Sequence, residues 1–311
     1  MSNNKEPKDG LDLDYFEVRR RSVIQAFRTW AGMIKIEHSL FALPFAWLGC
    51  FLALRALPPL IPVVWLTIGM VGIRCFAMTL NRIADRDIDA INPRTANRSL
   101  VTGEMSVRMA KLFMIISLLV FFLACASINK LTIKLSPVPV IAIIVYSYSK
   151  RFTWLTHFLL GSILAMSVLA GWITVDQNIT ISGLLFACAV IFWVAGFDMI
   201  YSCQDMEFDR ANNLKSAPAK VGVEAALIFA SFSHGIFAVF LFIGVWSANL
   251  GWVGWLTWSL VAGLLLWQHS LVKPDDLKRV NTAFFTLNAM IAAIVLIGLV
   301  SALFVSAKPL P

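Results

Sequence analysis

Residues 59–89, PLIPVVWLTIGMVGIRCFAMTLNRIADRDID, decide the reading: an apolar run ending at Leu80 gives way to Asn81, Asp85 and Asp89 at intervals of four. The run is long enough to cross a bilayer as a helix. An interval of four places the three polar side chains on one helix face, on successive turns. One amide and two carboxylates at a membrane-helix end offer oxygen ligands to a hard divalent cation. Mg²⁺ commonly combines one or two carboxylates with substrate phosphates. The competing reading is a solvated helix end whose acids pair with Arg82, Arg86 and Arg94.

Residues 198–209, DMIYSCQDMEFD, repeat the design after another long apolar run, with Tyr201, Asp205 and Asp209 again four apart and Asp198 at the start. Two acidic helix ends of one design are a far smaller coincidence than one. Acids in or beside a membrane are costly to keep and mark function.

Composition sets the class. With 59% hydrophobic and 14% charged residues over 311 positions, the chain reads as an all-α polytopic membrane protein. Five cysteines without C-x-x-C spacing, mostly inside apolar runs, argue against a disulfide framework and a zinc site. No H-E-x-x-H, Walker A or G-x-G-x-x-G element is present, so an ATP pump or dinucleotide enzyme is not indicated. The net charge of +8 is explained by membrane orientation and not by nucleic acid.

Residues 1–33 read as a polar, basic cytoplasmic tail, too long and charged for a signal peptide, with an amphipathic end lying on anionic lipid. Residues 34–311 form the transmembrane domain. Apolar stretches near 39–56, 59–80, 107–128, 132–149, 155–175, 180–200, 223–246, 251–271 and 282–306 predict a bundle of nine helices. The fourth is the weakest, with Pro137 and Pro139 inside it and Lys134 near its start. Threaded this way, 21 of the 26 lysines and arginines fall on the face that holds the tail. By the positive-inside rule that face is cytoplasmic, and both acidic motifs lie on it. The loop Tyr146-Ser-Tyr148-Ser-Lys150-Arg151 closes the fourth span on the same face. Alone it is an ordinary interfacial anchor; beside two acidic motifs it becomes a clamp for phosphate oxygens.

Two acidic clusters and a ring of cations beside a greasy bundle suit a diphosphate carried on a hydrophobic tail. Carboxylates would hold Mg²⁺, the metal would bridge the diphosphate, and the bases would neutralise the leaving charge. Departure from an allylic carbon leaves a carbocation, which needs a dry site and an electron-rich acceptor.

At this point the chain resembles the UbiA superfamily of intramembrane aromatic prenyltransferases, over nearly all of its length after the tail. That family pairs N-x-x-x-D-x-x-x-D with D-x-x-Y-x-x-x-D-x-x-x-D, matched here by Asn81, Asp85 and Asp89 and by Asp198, Tyr201, Asp205 and Asp209. Arg94-Thr-Ala-Asn-Arg98, the loop from Tyr146 to Lys150 and Arg151, Lys215-Ser216, and Arg74 match further family positions. The resemblance implies nine helices around a lipid-open cavity, with Mg²⁺ and a prenyl diphosphate beneath a cytoplasmic cap. It implies metal contacts at Asn81, Asp85, Asp89, Asp205 and Asp209, with Asp198 joining the four aspartates as a catalytic candidate. It implies substrate contacts at Lys35, Arg74, Arg94, Arg98, Tyr146, Lys150, Arg151, Tyr201 and Lys215.

Three departures stand out: Arg82 where many members have Asp, Ser99 where proline often follows, and Asn213 or Leu214 where a glycine precedes Lys-Ser. Asparagine can adopt the left-handed conformation, so that turn can survive. The stretch Lys35-Ile-Glu37-His38-Ser-Leu-Phe-Ala-Leu-Pro44 is similar to a bacterial 4-hydroxybenzoate prenyltransferase branch, some members of which serve menaquinone synthesis with a dihydroxynaphthoate acceptor. Arg74 could receive the acceptor's carboxylate or could pair structurally with a neighbouring helix. The rivals are a Mg²⁺ transporter or channel, a haem- or chlorophyll-type prenyltransferase of the same family, and a CDP-alcohol phosphotransferase, whose D-G-x-x-A-R element is absent. Soluble prenyl synthases share the acidic motifs but not the spans.

Overall fold

The computed structural model describes residues 23–34 and 42–307; residues 1–22, 35–41 and 308–311, among them Lys35, lie outside it. Every regular element among the described residues is helical, and the one β-feature is an isolated bridge between Lys273 and Asp276. Seven helical stretches are long and apolar enough to span a membrane: Leu60–Ala84, Val107–Ile128, Lys130–Ser149, Thr156–Val175, Ile181–Ala211, Val223–Ser247 and Thr282–Val305.

The expected count of nine is therefore not reached among the described residues. The first expected span appears as α2, Leu43–Leu54, which has 12 residues. At about 1.5 Å per residue it falls well short of a hydrocarbon core roughly 30 Å thick. The eighth appears as α13, Gly251–Ser270, whose tryptophans, glycines, Gln268 and His269 dilute its apolar character. The weak fourth span is interrupted as its prolines suggest. Helix α6, Lys130–Leu135, stops at Ser136, and Pro137 opens α7, Pro137–Ser149, because proline has no N–H to continue the helix before it.

The remaining long helices are α3 (Leu60–Ala84), α5 (Val107–Ile128), α8 (Thr156–Val175), α9 (Ile181–Ser202), α12 (Val223–Ser247) and α14 (Asn288–Val305), the last entered through a π-helical turn, Thr282–Leu287. Helix α9 runs through the middle: Trp193, Val194 and Ala195 are fully enclosed, and α8 and α12 flank it. Between membrane helices close packing replaces the hydrophobic drive, so small residues mark the crossings. The tightest is α2 on α8. A Cβ on Gly171 would fall onto the Ala46 carbonyl oxygen, and one on Gly49 onto the Val168 carbonyl. There the Cys50 thiol donates to the Gly171 carbonyl at 3.2 Å.

The amphipathic end of the tail forms α1, Val23–Ile34. It turns its apolar face onto protein: Trp30 stacks on Phe113 with centroids 5.0 Å apart, and its indole N–H donates to Thr79 Oγ1 at 2.9 Å. Phe27 meets the same Phe113 ring edge-on, with centroids 6.2 Å apart, and is itself partly exposed.

Replacing Gly171 by alanine should lower the thermal stability of the purified protein by about 1–3 kcal/mol, the usual cost of overpacking. The same change at Gly263, where a Cβ meets nothing within 4 Å, should be neutral or slightly stabilising, since alanine is the better helix former. Thermal unfolding of the two variants in one detergent compares them directly.

Candidate active site

Both acidic motifs break their helices at the same place. Helix α3 ends at Ala84, and Asp85 takes φ −96° and ψ 3° before the six-residue α4, Arg86–Ile91. Helix α9 ends at Ser202 and tightens into a 3₁₀ turn, Cys203–Asp205; Asp205 takes φ −103° and ψ 5° before α10, Met206–Ala211. This sparsely populated bridge conformation is common at active sites. The continuous helix expected through Asn81, Asp85 and Asp89 is thus corrected to a helix, a corner and a second short helix. At each break the chain continues as a short helix that carries the motif's last aspartate.

The two corners face one cavity of about 240 Å³, lined by Asn81, Asp85 and Asp89 on one side and Asp198, Tyr201, Asp205 and Asp209 on the other. Arg94, Arg98, Tyr146, Lys150 and Lys215 complete most of the wall. The acids are matched to cations from other elements. Lys150 Nζ lies 2.6 Å from Asp85 Oδ2, with Arg151 at 3.4 Å from Asp85 Oδ1 and donating to the Ala84 carbonyl at 2.6 Å. Arg98 pairs with Asp89, and Arg94 forks onto both oxygens of Asp205. Burial pulls the Arg94 pKa down, but its hydrogen bond to Asp205 and the nearby charges of Asp205, Tyr201 and Asp89 outweigh this and hold it above the ordinary value. The solvated-end reading is therefore half right. The acids do pair with bases, but Arg94 crosses to the other motif, Arg86 donates to the Leu100 carbonyl, and Arg82 has no ion pair among the described residues.

Aromatic packing fixes the far wall. Arg94 Nη1 donates to the Tyr201 hydroxyl at 3.2 Å, and the Tyr201 ring lies 4.1 Å from that of Phe284 in the π-helical turn. The cap loop after α10 turns through Asn213 at φ 55°, so asparagine does supply the left-handed position a glycine would fill. From there the Lys215 N–H donates to the Lys150 carbonyl at 2.6 Å.

Arg74 is not part of the wall; its Nε is buried without a hydrogen-bond partner on α3. Conversely, His157 and Arg82 line the cavity without having been singled out as site residues, and Ser216, noted only beside Lys215, lines it too. His157 Nδ1 lies 2.7 Å from Asp198 Oδ2, and its Nε2 accepts the Ala217 N–H at 3.1 Å. Accepting at Nε2 puts the proton on Nδ1, so a neutral imidazole donates to Asp198. Ser216 donates to Asp209 Oδ2 at 2.7 Å. A lone histidine in an apolar run gives no sequence signal of this kind. Only its position just after the Lys150-Arg151 loop hints at it.

A divalent metal fits the donor set. Asn81, Asp85, Asp89, Asp205 and Asp209 bring only hard oxygen donors to one cavity. Among the described residues no three of the acids converge to cage an ion unaided.

This fold and this paired acidic cavity define an intramembrane prenyltransferase. The chain belongs to the UbiA prenyltransferase family, whose model matches residues 42–291. It is 30% identical over 264 residues to the 4-hydroxybenzoate octaprenyltransferase of Vesicomyosocius okutanii, covering 83% of this chain and 93% of that one. With the enzyme of the same name from Sodalis glossinidius it shares 27% over 287 residues, 89% and 96% of the two chains. Among solved structures, the apo structure of a UbiA homolog from Aeropyrum pernix K1 superposes with a TM-score of 0.78 at 33% identity, over 86% of this chain and 98% of that one. A UbiA homolog from Archaeoglobus fulgidus bound to GPP and Mg2+ shares the fold at a TM-score of 0.72 and 22% identity, over 89% and 100%. The protein is thus a multi-pass membrane enzyme, and the transporter reading gives way.

His157→Leu would strip partners from Asp198 and the Ala217 N–H, a loss of about 1–3 kcal/mol for each buried group left unsatisfied. His157→Gln, with one amide oxygen to accept and one NH₂ to donate, should restore most of the stability and of the prenyl-transfer rate. Thermal unfolding and transfer assays on both variants check this.

Proposed function

We infer that this enzyme transfers a polyprenyl group from a prenyl diphosphate to an aromatic acid, 4-hydroxybenzoate or a dihydroxynaphthoate, in quinone biosynthesis. The observation that carries the reading is the meeting of both acidic corners and their matched cations in one cavity. The names of the bacterial relatives, and the archaeal structure with GPP and Mg2+, support the substrate and metal classes. The excess of basic residues on one face supports a cytoplasmic opening in a bacterial inner membrane.

Asn81, Asp85, Asp89, Asp205 and Asp209 would hold Mg²⁺. When bound, the ion supplies Lewis-acid stabilisation of the charge that builds on the leaving diphosphate. The chain's own groups do the rest. Arg94, Arg98, Lys150 and Arg151, now engaged with carboxylates, are the donors that address phosphate oxygens once the acids have other partners. Lys215 and Tyr201 border the same space, and Lys35 is assigned to substrate binding with them. Ile88, Phe208 and Leu214 add apolar wall, which helps keep water from the allylic cation. The C–O bond to diphosphate breaks, a bond forms to the electron-rich ring carbon, and that carbon loses its proton. Among the described residues Asp198 alone of these acids is held by a neutral imidazole and not by a cation or hydroxyl, which suits it to take the proton.

Divalent-metal-dependent transfer of radiolabelled prenyl diphosphate tests the reaction class. Mass spectrometry of quinone precursors in membranes with and without the protein tests the acceptor. Asp85→Ala and Asp205→Ala should each lower turnover by about 100-fold or more, several kcal/mol of transition-state stabilisation, while the protein still inserts. Near-normal turnover in both would remove the two-corner site. Lys150→Ala and Arg94→Ala should raise KM for the diphosphate more than for the aromatic acid; an equal effect on both would reassign these bases.

A further inference from the structure

Two amides are buried in the helix bundle away from the cavity wall. Gln268, in the last turn of α13, is fully enclosed, and so is Asn288, which opens α14. Both address one feature, the π-helical turn Thr282–Leu287. Gln268 Nε2 donates to the Ala283 carbonyl at 2.8 Å and to Asn288 Oδ1 at 3.3 Å, and Asn288 Nδ2 donates to the Phe284 carbonyl at 2.8 Å. A π turn widens the helix ladder from four residues to five and is found mostly where function needs it. Residues 282–287, TAFFTL, hold no glycine or proline to impose the distortion. The carbonyls it frees are held by side-chain amides, one of them from the neighbouring helix.

The turn sets where Phe284 stands. Its ring lies 4.1 Å from that of Tyr201 and 5.3 Å from that of Phe197, both on α9. Tyr201 lines the cavity, and its hydroxyl accepts from Arg94, the same guanidinium that forks onto Asp205. Closing the turn to a regular α-helix would shift its register by one residue, about 100° of rotation, and carry Phe284 off the Tyr201 ring.

We propose that Gln268 is a positioning residue for the diphosphate site: it holds the π-helical turn open, the turn seats Phe284 against Tyr201, and Tyr201 fixes Arg94. The assignment rests on the prenyltransferase reading above, in which Arg94 addresses phosphate oxygens. Gln268 lines no part of the cavity and acts only through the turn. Its other end argues the same way, because Oε1 is buried without a donor among the described residues. An unpartnered amide oxygen is a net cost, so a residue kept only for packing would be apolar here. The donor to Ala283 supplies the reason for an amide.

The test is a titration of the purified full chain in nanodiscs with geranyl diphosphate and Mg²⁺, with thermal unfolding of each variant alongside. Gln268→Met, which keeps the volume and deletes the donor, should weaken geranyl diphosphate binding by about fivefold or more. Phe284→Leu, which leaves both amides in place, should weaken it as much. Phe284→Tyr, which keeps the ring, should stay within about twofold of the wild type. Because both losses pass through one ring, the double variant Gln268→Met with Phe284→Leu should bind within about twofold of the weaker single variant. Gly171→Ala, destabilised at a distant helix crossing, should leave the affinity unchanged. Unchanged binding in Gln268→Met or in Phe284→Leu, losses that multiply in the double variant, or an equal loss in Gly171→Ala would each overturn the assignment. The reading of the reaction fails separately: a wild type that binds the diphosphate with this pattern of variants yet transfers no prenyl group to an aromatic acid keeps the role of Gln268 and loses the proposed function.

Discussion

Carboxylates at the edge of a hydrocarbon slab must find positive charge, because the alternative is a desolvation cost that no helix packing offsets. Here each cation comes from a different element than the acid it serves. Lys150 at the end of α7 reaches Asp85 at the end of α3, and Arg94 from the loop after α4 reaches Asp205 after α9. The ion pairs therefore stitch three helix ends into one cap. The same pairs hold ready, in one place, the acids a metal would take and the bases a diphosphate would take.

Geometry makes this exchange of partners conceivable. The breaks at Asp85 and Asp205 have nearly equal backbone angles. The acids of both motifs line the same cavity. Beneath them, His157 uses both ring nitrogens to tie Asp198 to the start of α11, Ala217–Val221.

Much of this was legible in the chain. Intervals of four at the ends of apolar runs brought out Asn81, Asp85, Asp89, Asp205 and Asp209, and the asymmetry of lysine and arginine put them on one face. Pro137 marked the break in the fourth span. The helix corners were not legible, because no glycine or proline announces them and the four-residue rhythm continues through the break. The count of nine is not confirmed among the described residues, where α2 has 12 residues and the tryptophan-rich α13 is not among the helices apolar enough to span. His157 was hidden because a histidine's role is set by what meets its two nitrogens in space. Arg82 read as one base among several, and only a structure shows which base lacks an acid.

The bond from the Lys215 N–H to the Lys150 carbonyl joins the two basic cap loops through main chain alone. Apart from proline at position 215, which would remove the donor, no side-chain replacement at either position deletes it. The roof over the cavity is therefore hinged to the bundle by a joint that is indifferent to the residues displayed on it. A roof built this way can change its chemical texture, lysine for another group or serine for another, without losing its height above the floor.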